Sequence, residues 1–367
     1  MKASSTHRSQ EMRGIDAVDL FCGAGGLTYG LSQAGIEVKA GVDLDRACQY
    51  AYEKNNRAKF IFKSVTELTK QDLQGYFGAG KLKLLAGCAP CQTFSTYSLK
   101  TRSTESQNAN GRWFLLNEFA RMVELLLPEL VTMENVPGLA EQNVFENFKN
   151  TLEQLNYKVD HTIVDCAEYG IPQKRRRLVL LASRLGNIRL LTPKECDAKP
   201  LTVRDAIGDQ PLLEAGSKDP SDPMHQCSRL SPLNMRRIRA SKQGSSWRDW
   251  PEELIAKCHK KDSGSTYGSV YGRMCWDEPS PTMTTQFYGF GNGRFGHPEQ
   301  DRAISLREGA LLQTFPKSYQ FTPKGEAMNQ RVVGRMIGNA VPVKLGKVIG
   351  DSIMQHIKNL QQSNEIN

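Results

Sequence analysis

No run of about 18 apolar residues occurs anywhere in this chain, which excludes a membrane-spanning helix. The opening MKASSTHRSQEMR is polar and has no apolar stretch behind it, so no secretory signal is expected and the compartment implied is the cytoplasm. A second Cys-x-x-Cys is also missing. The nine cysteines, at 22, 48, 88, 91, 166, 196, 227, 258 and 275, are odd in number and scattered. A four-ligand zinc site therefore lacks its second half, no metal is expected, and reduced thiols are the default. Internal repeats and low-complexity tracts are absent as well. What is present is 367 residues, 39% of them hydrophobic, enough to bury a full core split between two domains of unequal size. The net charge is +9 with an isoelectric point near 9.0. RLSPLNMRRIRASK, residues 229 to 242, holds five basic residues and no acidic one. Such a balance suits a polyanionic partner, although basic runs also serve as ordinary solvated faces.

The hydrophobic pattern alternates strands with helices. IDAVDLF (15 to 21), IEVKAGVD (36 to 43), KLKLLAG (81 to 87) and ELVTMEN (129 to 135) read as strands. LTYGLSQAG, RACQYAYEKN, FLLNEFARMVELLL and VFENFKNTLEQLN read as helices between and after them. This is the rhythm of a doubly wound α/β sheet. It fails from about 186 to 280, where Pro, Ser and Asp scatter among charges, and helical periodicity returns with VPVKLGKVIGDSIMQHI. The expected organisation is a catalytic and cofactor-binding domain over 1–185, a smaller second domain over 186–324, and a C-terminal segment, 325–367, packing back onto the first.

In open α/β sheets ligands bind beyond the carboxyl ends of the strands. Here those ends are DLFCGAGG, Asp43, GCAPCQ and ENVPG, which would share one rim. The turn after the first strand has Gly23, Gly25 and Gly26, but Thr28 stands where the dinucleotide fingerprint needs its third glycine. A nicotinamide pyrophosphate is therefore disfavoured. Glycines still admit a ligand close to the backbone, and Asp43 is placed to accept hydrogen bonds from a ribose, so a nucleoside cofactor without phosphates fits. A turn that needs glycine for packing only is the alternative. The Cys-x-x-Cys pair is followed by a long polar stretch rather than a helix, more like an active-site loop than a redox motif. Cys88 reads as a small buried hydrophobe. Cys91, after a proline at the edge of the loop, is the better nucleophile candidate, and would need help to ionise. In QKRRRLVLLAS, Arg175 and Arg177 are two apart and so share a face of an extended chain.

DLFCGAGG, PCQ, ENV, QKRRR and GNAVP, in this order, resemble the ordered motifs of the cytosine carbon-5 DNA methyltransferases of bacterial restriction-modification systems. The likeness covers about 15 to 183 and 281 to 345. The stretch between is where that family keeps a variable target-recognition domain. The resemblance implies a Rossmann-like methyltransferase fold, S-adenosylmethionine as cofactor, duplex DNA as substrate, and a separately encoded restriction endonuclease as companion. It implies a protein that acts as a monomer in association with the nucleoid. It also assigns roles. Cys91 would add to carbon 6 of the cytosine, and Glu134 would be the acid at ring nitrogen 3, an assistance on the order of a hundredfold or more. Arg177 would bind the cytosine carbonyl, and Arg175 would support the catalytic loop or a phosphate near it. Around the cofactor, Phe21 would stack on adenine, Gly23, Gly25 and Gly26 would admit the methionine part, Asp43 would hold the ribose, Leu44, Ser64 and Pro90 would line the site, and Asn339 would close it. The family often has Glu at the place of Asp43 and a large apolar residue at that of Leu44. Ser64 falls where many members carry an adenine-binding Asp, so the ribose contact is kept and the adenine-amino contact is the one affected.

A carbon inside the base stack is reached by flipping the nucleotide out, at a cost of a few kcal/mol. The polar loop from Gln92 to Gly111 is suited to close over the DNA, with Ser95, Thr96 or Tyr97 to enter the gap. Arg294, in QFYGFGNGRFGH, is a candidate base or phosphate contact, with a structural turn as the alternative. Arg236, Arg237 and Arg239 are expected to face phosphates. Three rivals are weighed against this reading. An RNA methyltransferase of the same family would carry a CFT signature, which is absent. A catalytically dead DNA-binding homologue would lack a catalytic member, yet Cys91, Glu134, Arg175 and Arg177 are all present. A nicotinamide oxidoreductase is opposed by Thr28.

Overall fold

A computed structural model describes residues 14–90, 114–261, 264, 268 and 270–366. Seven strands form one sheet: β1 (Ile15–Leu20), β2 (Glu37–Asp43), β3 (Lys59–Phe62), β4 (Leu82–Gly87), β5 (Leu130–Asn135), β6 (Lys158–Asp165) and β7 (Arg176–Ser183). Their spatial order is β3-β2-β1-β4-β5-β7-β6. The first five run parallel, whereas β7 is antiparallel to both β5 and β6. This is the doubly wound, Rossmann-like sheet that the motif resemblance implies. Every residue of β1 and β5 is buried, as expected of central strands covered on both faces.

Side chains alternate across the sheet and feed two cores. Val18 and Leu20 of β1, with Leu85, Val131 and Met133, meet α4 (Phe114–Leu126) and α5 (Asn143–Gln154). Those helices turn inward the stripes Leu116, Phe119, Val123 and Phe145, Phe148, Leu152 at the three-to-four-residue spacing that makes one helix face apolar. On the other side, Ile15 and Ala17 meet α1 (Gly26–Gln33) and the last helix, Val343–Ile366. That packing is backbone-close: a Cβ on Gly30 would lie 2.3 Å from the carbonyl oxygen of Val343.

Periodicity located these elements but passed over β3. Four residues with the exposure pattern of an edge segment carry too little alternation to stand out. The helix after β2 is also split, into a 3₁₀ turn at Arg46–Cys48 and α2 (Gln49–Asn56), and a short α3 (Lys70–Gln74) follows β3.

Between β7 and the two C-terminal helices the described helices are short, α6 (Val203–Ile207) and α7 (Pro232–Arg239) among them. Val203, Ile207, Met274, Phe287, Leu306 and Phe315 share a core with Tyr52 of α2 and with the helix Gln330–Asn339. A smaller core gathers Ile238, Trp247, Trp250, Leu254, Phe290 and Ala303.

Candidate active site

The strand order reverses between β1 and β4, since β2 and β3 follow on one side of β1 and β4 and β5 on the other, and the crevice beyond that point is where an open α/β sheet binds ligands. Glu134, on β5, is 3% exposed there. Its Oε2 accepts the thiol hydrogen of Cys88, with sulfur and oxygen 2.8 Å apart. Its Oε1 lies 2.8 Å from Nε of Arg177, an ion pair in which the N–H is not aimed at the oxygen, so among the described residues Oε1 has no hydrogen-bond partner. The antiparallel return of β7 sets this meeting, because Glu134 pairs with Val179 and Asp165 with Arg176, bringing the start of β7 to the rim. The neighbouring Asn135 donates from Nδ2 to the carbonyl of Ala89 at 2.8 Å and so ties β5 to the base of the loop after β4.

Arg175 and Arg177 part company. Arg175 is 4% exposed and donates to Oε1 of Gln173 and to the carbonyls of Met283 and Ala340 at 3.2–3.4 Å. Burial, then the charge of Arg177, pulls its pKa down to about 10. A guanidinium so enclosed does not reach a phosphate; it ties the entrance of β7 to the C-terminal GNAVP segment. Gln173, fully buried, completes that junction by donating to Gln313 and accepting from the backbone N–H of Met283.

On the other side of the crevice, β1 ends as Phe21 takes a φ of 60°, and Gly23 and Gly25 follow at 51° and 91°. A Cβ on Gly26 would fall 2.4 Å from the carbonyl oxygen of Val341, so the glycine admits the GNAVP segment itself. Gly23 differs: a Cβ there would meet nothing within 4 Å among the described residues, which leaves an open cradle above the backbone. Asp43 borders it, accepting from the N–H of Gly23 at 2.8 Å and of Asp45 at 2.7 Å. Burial raises its pKa, and these two N–H donors oppose that. Leu44 is 62% exposed at the mouth. Ser64 accepts from the N–H of Thr66 and caps the 3₁₀ turn Val65–Glu67. Pro90 is exposed. Asn339 is exposed at the end of its helix, and Arg335 of that helix pairs with Asp45 at 2.5 Å. A cradle of open backbone, a carboxylate and exposed apolar side chains fits a nucleoside with an amino-acid tail better than a pyrophosphate.

Thr28 has its own reason to replace glycine. Its hydroxyl donates to Oδ2 of Asp19 at 2.7 Å, inside the protein and beneath the turn. Burial raises the Asp19 pKa to about 7.

Residues 15–355 match the sequence profile of the C-5 cytosine-specific DNA methylases. The chain belongs to that family. It is 51% identical to the Type II methylase M.HgiDII of Herpetosiphon aurantiacus, over 95% of this chain and 98% of that protein. To the Type II methyltransferase M1.BsuMI of Bacillus subtilis it is 33% identical, over 91% and 79%. Among solved structures, the fold is shared with a prophage-encoded E. coli protein described as a DNA modification methyltransferase (TM-score 0.70, 22% identity, 93% and 99% covered) and with S. pombe Dnmt2 (TM-score 0.58, 18% identity, 94% and 98% covered). The chain is thus a cytosine-5 DNA methyltransferase, with a DNA substrate, and no described helix is long and apolar enough to cross a membrane.

In this methyltransferase the candidate DNA contacts separate by burial. Arg236 and Arg239 face outward, Arg239 pairing with Asp301 at 3.1 Å. Arg237 is a correction to the phosphate-facing set. It is 8% exposed, donates to the carbonyl of Leu254, and lies over the rings of Trp250 and Tyr271 at 5.5 and 5.3 Å. In QFYGFGNGRFGH, Phe287, Phe290 and Phe295 are buried core residues, while Arg294 is half-buried. Cys91, Gln92, Ser95, Thr96 and Tyr97 lie outside the described residues.

Sequence reading missed three contributors: Cys88 as a partner of Glu134, Asn135 as the tie to Ala89, and Arg335 as the partner of Asp45. For Asn135 a signal existed, since a polar residue at the end of an otherwise apolar central strand must find a partner when buried. For Arg335, nearly three hundred residues from Asp45 in sequence, none did.

Proposed function

We propose that this chain transfers the methyl group of S-adenosylmethionine to carbon 5 of a cytosine flipped out of a specific duplex DNA sequence, with Cys91 as nucleophile and Glu134 as acid. The observation that carries the reading is the state of Glu134: buried at the rim, one carboxyl oxygen held by a thiol, the other without a hydrogen-bond partner among the described residues, a guanidinium alongside. Such an oxygen is suited to meet a ring nitrogen.

Carbon 5 of cytosine is a poor nucleophile. The Cys91 thiolate therefore adds to carbon 6, forming a carbon–sulfur bond and moving an electron pair toward nitrogen 3, where Glu134 delivers a proton. Arg177, beside Glu134, is placed for the ring carbonyl. S-adenosylmethionine, when bound, supplies an electrophilic methyl on a sulfonium. Carbon 5, made nucleophilic, would take that methyl and leave the donor as a neutral thioether; loss of the carbon 5 proton to solvent then expels the Cys91 thiolate and restores the ring double bond, and the nitrogen 3 proton returns to Glu134. Asp43 would hold the ribose, Phe21 and Leu44 would meet the adenine, and the Gly23 cradle, Pro90 and Asn339 would enclose the rest. Ser64 caps its own turn and brings no carboxylate to the adenine amino group.

The domain division at about 186 and 324 belongs to the same proposal, with the small tryptophan-containing core at the centre of the recognition domain. Arg236 and Arg239 would face phosphates there. Gln92, Ser95 and Tyr97 would belong to the loop that closes on the flipped base. As in a Type II system, a separately encoded endonuclease would share the target. Bisulfite sequencing of DNA from cells expressing the wild-type chain or Cys91→Ser tests this. Protection of one cytosine in a recurring sequence, in wild type only, is expected; complete conversion with wild type would overturn it.

A further inference from the structure

We propose that Cys88 is a positioning residue for the acid step: its S–H donates to Oε2 of Glu134 and so leaves Oε1 turned toward the base. The inference rests on Glu134 being the acid. It replaces the expectation that Cys88 only fills space. The backbone already fixes the place, since the N–H of Cys88 donates to the carbonyl of Leu20 on β1, and the side chain from there spans the gap to β5.

The charged surroundings of Glu134 give the thiol a second effect. Arg177 and Arg175 act on it from the start of β7, Cys166 lies near it from the turn after β6, and Asp19 acts on Cys88 from β1. Burial, then the charge of Glu134, pushes the Cys88 thiol well above its ordinary range. It therefore stays S–H, and a hydrogen bond given to a carboxylate favours the ionised form. A thiol is a weak donor. It orients the carboxyl through one oxygen and leaves the other for the proton carried to a ring nitrogen. The two cysteines of the Cys-x-x-Cys spacing then divide the chemistry, Cys91 by losing its proton and Cys88 by keeping it.

The test compares wild type, Cys88→Ala and Cys88→Ser in single-turnover methylation of unmethylated bacterial genomic DNA with tritium-labelled S-adenosylmethionine, across pH. Thermal melting checks folding, and serine, nearly isosteric with cysteine, covers the case in which alanine perturbs packing. In Cys88→Ala the rate should fall about tenfold, as for loss of one hydrogen bond to a charged group. The limb of the pH profile that reports Glu134 should move about half a unit or more to higher pH. Cys88→Ser should restore the rate and bring that limb back to or below its wild-type place. Equal losses in both variants with unmoved limbs, or no loss in either, would overturn the proposal while leaving Glu134 as the acid. A wild-type protein that transfers no methyl group would instead remove the reading on which it rests.

Discussion

Nε of Arg177 stands 2.8 Å from Oε1 of Glu134, two strands apart in sequence, with its N–H pointing elsewhere. The pair is close enough for charge attraction and leaves the oxygen free to bond a third group. If Glu134 supplies the proton at ring nitrogen 3, Glu134→Gln should lower single-turnover methylation by a factor of about 10² to 10⁴, the usual weight of general-acid assistance. DNA affinity should change little. A glutamine variant within a fewfold of wild type would remove Glu134 from the acid step.

Arg236 and Arg239 point outward, whereas Arg237 is enclosed by Trp250, Tyr271 and the carbonyl of Leu254. Replacing Arg236 and Arg239 by glutamine should weaken DNA binding for every sequence tested and flatten its dependence on salt, because each lost phosphate contact releases fewer counterions. Arg237→Gln should act differently, lowering the melting temperature with little change in the salt slope. Fluorescence anisotropy over a salt series separates the two. An altered methylated sequence with unchanged affinity in the double variant would show that those side chains read bases.

The sheet was legible because central strands are continuous apolar runs and the helices between them carry amphipathic stripes; β3, four residues at the sheet's edge, was not. At the site, residues that end strands could be read from sequence, since the rim collects them: Glu134 and Asp43 stand where expected. What could not be read was which way each side chain turns. Arg175 and Arg177 share strand spacing, yet one is drawn into carbonyls of Met283 and Ala340 from segments more than a hundred residues away. Arg237 and Arg239 sit in one basic run, and only the packing of Trp250 and Tyr271 tells them apart. Such contacts lie in tertiary structure, where local pattern has no signal.

Asp43 braces the glycine turn through Gly23 and would hold the ribose of the cofactor. Asp43→Ala should therefore weaken binding of both S-adenosylmethionine and its demethylated product, which share that ribose, by a similar factor. Calorimetry measures both. Unchanged affinity, or binding of a nicotinamide dinucleotide by the wild type, would count against the cofactor assignment.

Asp19 gives a pH dependence with a definite sign. Its carboxyl titrates near 7 in the folded protein, against an ordinary value near 4, so between those values the native state holds a proton that the unfolded chain releases. The stability this group contributes falls as pH rises through that window and levels off above it, by at most about 4 kcal/mol. Asp19→Asn, which cannot ionise, should gain on wild type in urea melts as pH goes from 5 to 8. A difference between the two proteins that is constant over that range would place the Asp19 titration elsewhere.

The covalent step has its own trap. After methyl transfer the enzyme regains its thiolate by loss of the proton on carbon 5, so fluorine at that carbon should block release and leave protein joined to DNA. Full, stable trapping should require the methyl donor. Cys91→Ser should abolish both methylation and the adduct, because a neutral hydroxyl is a far weaker nucleophile than a thiolate. Cys88→Ala should still form the adduct, more slowly, since its thiol orients Glu134 and does not attack. Peptide mapping of the trapped complex locates the bond. Attachment at Cys88, or normal methylation by Cys91→Ser, would make the proposed mechanism untenable.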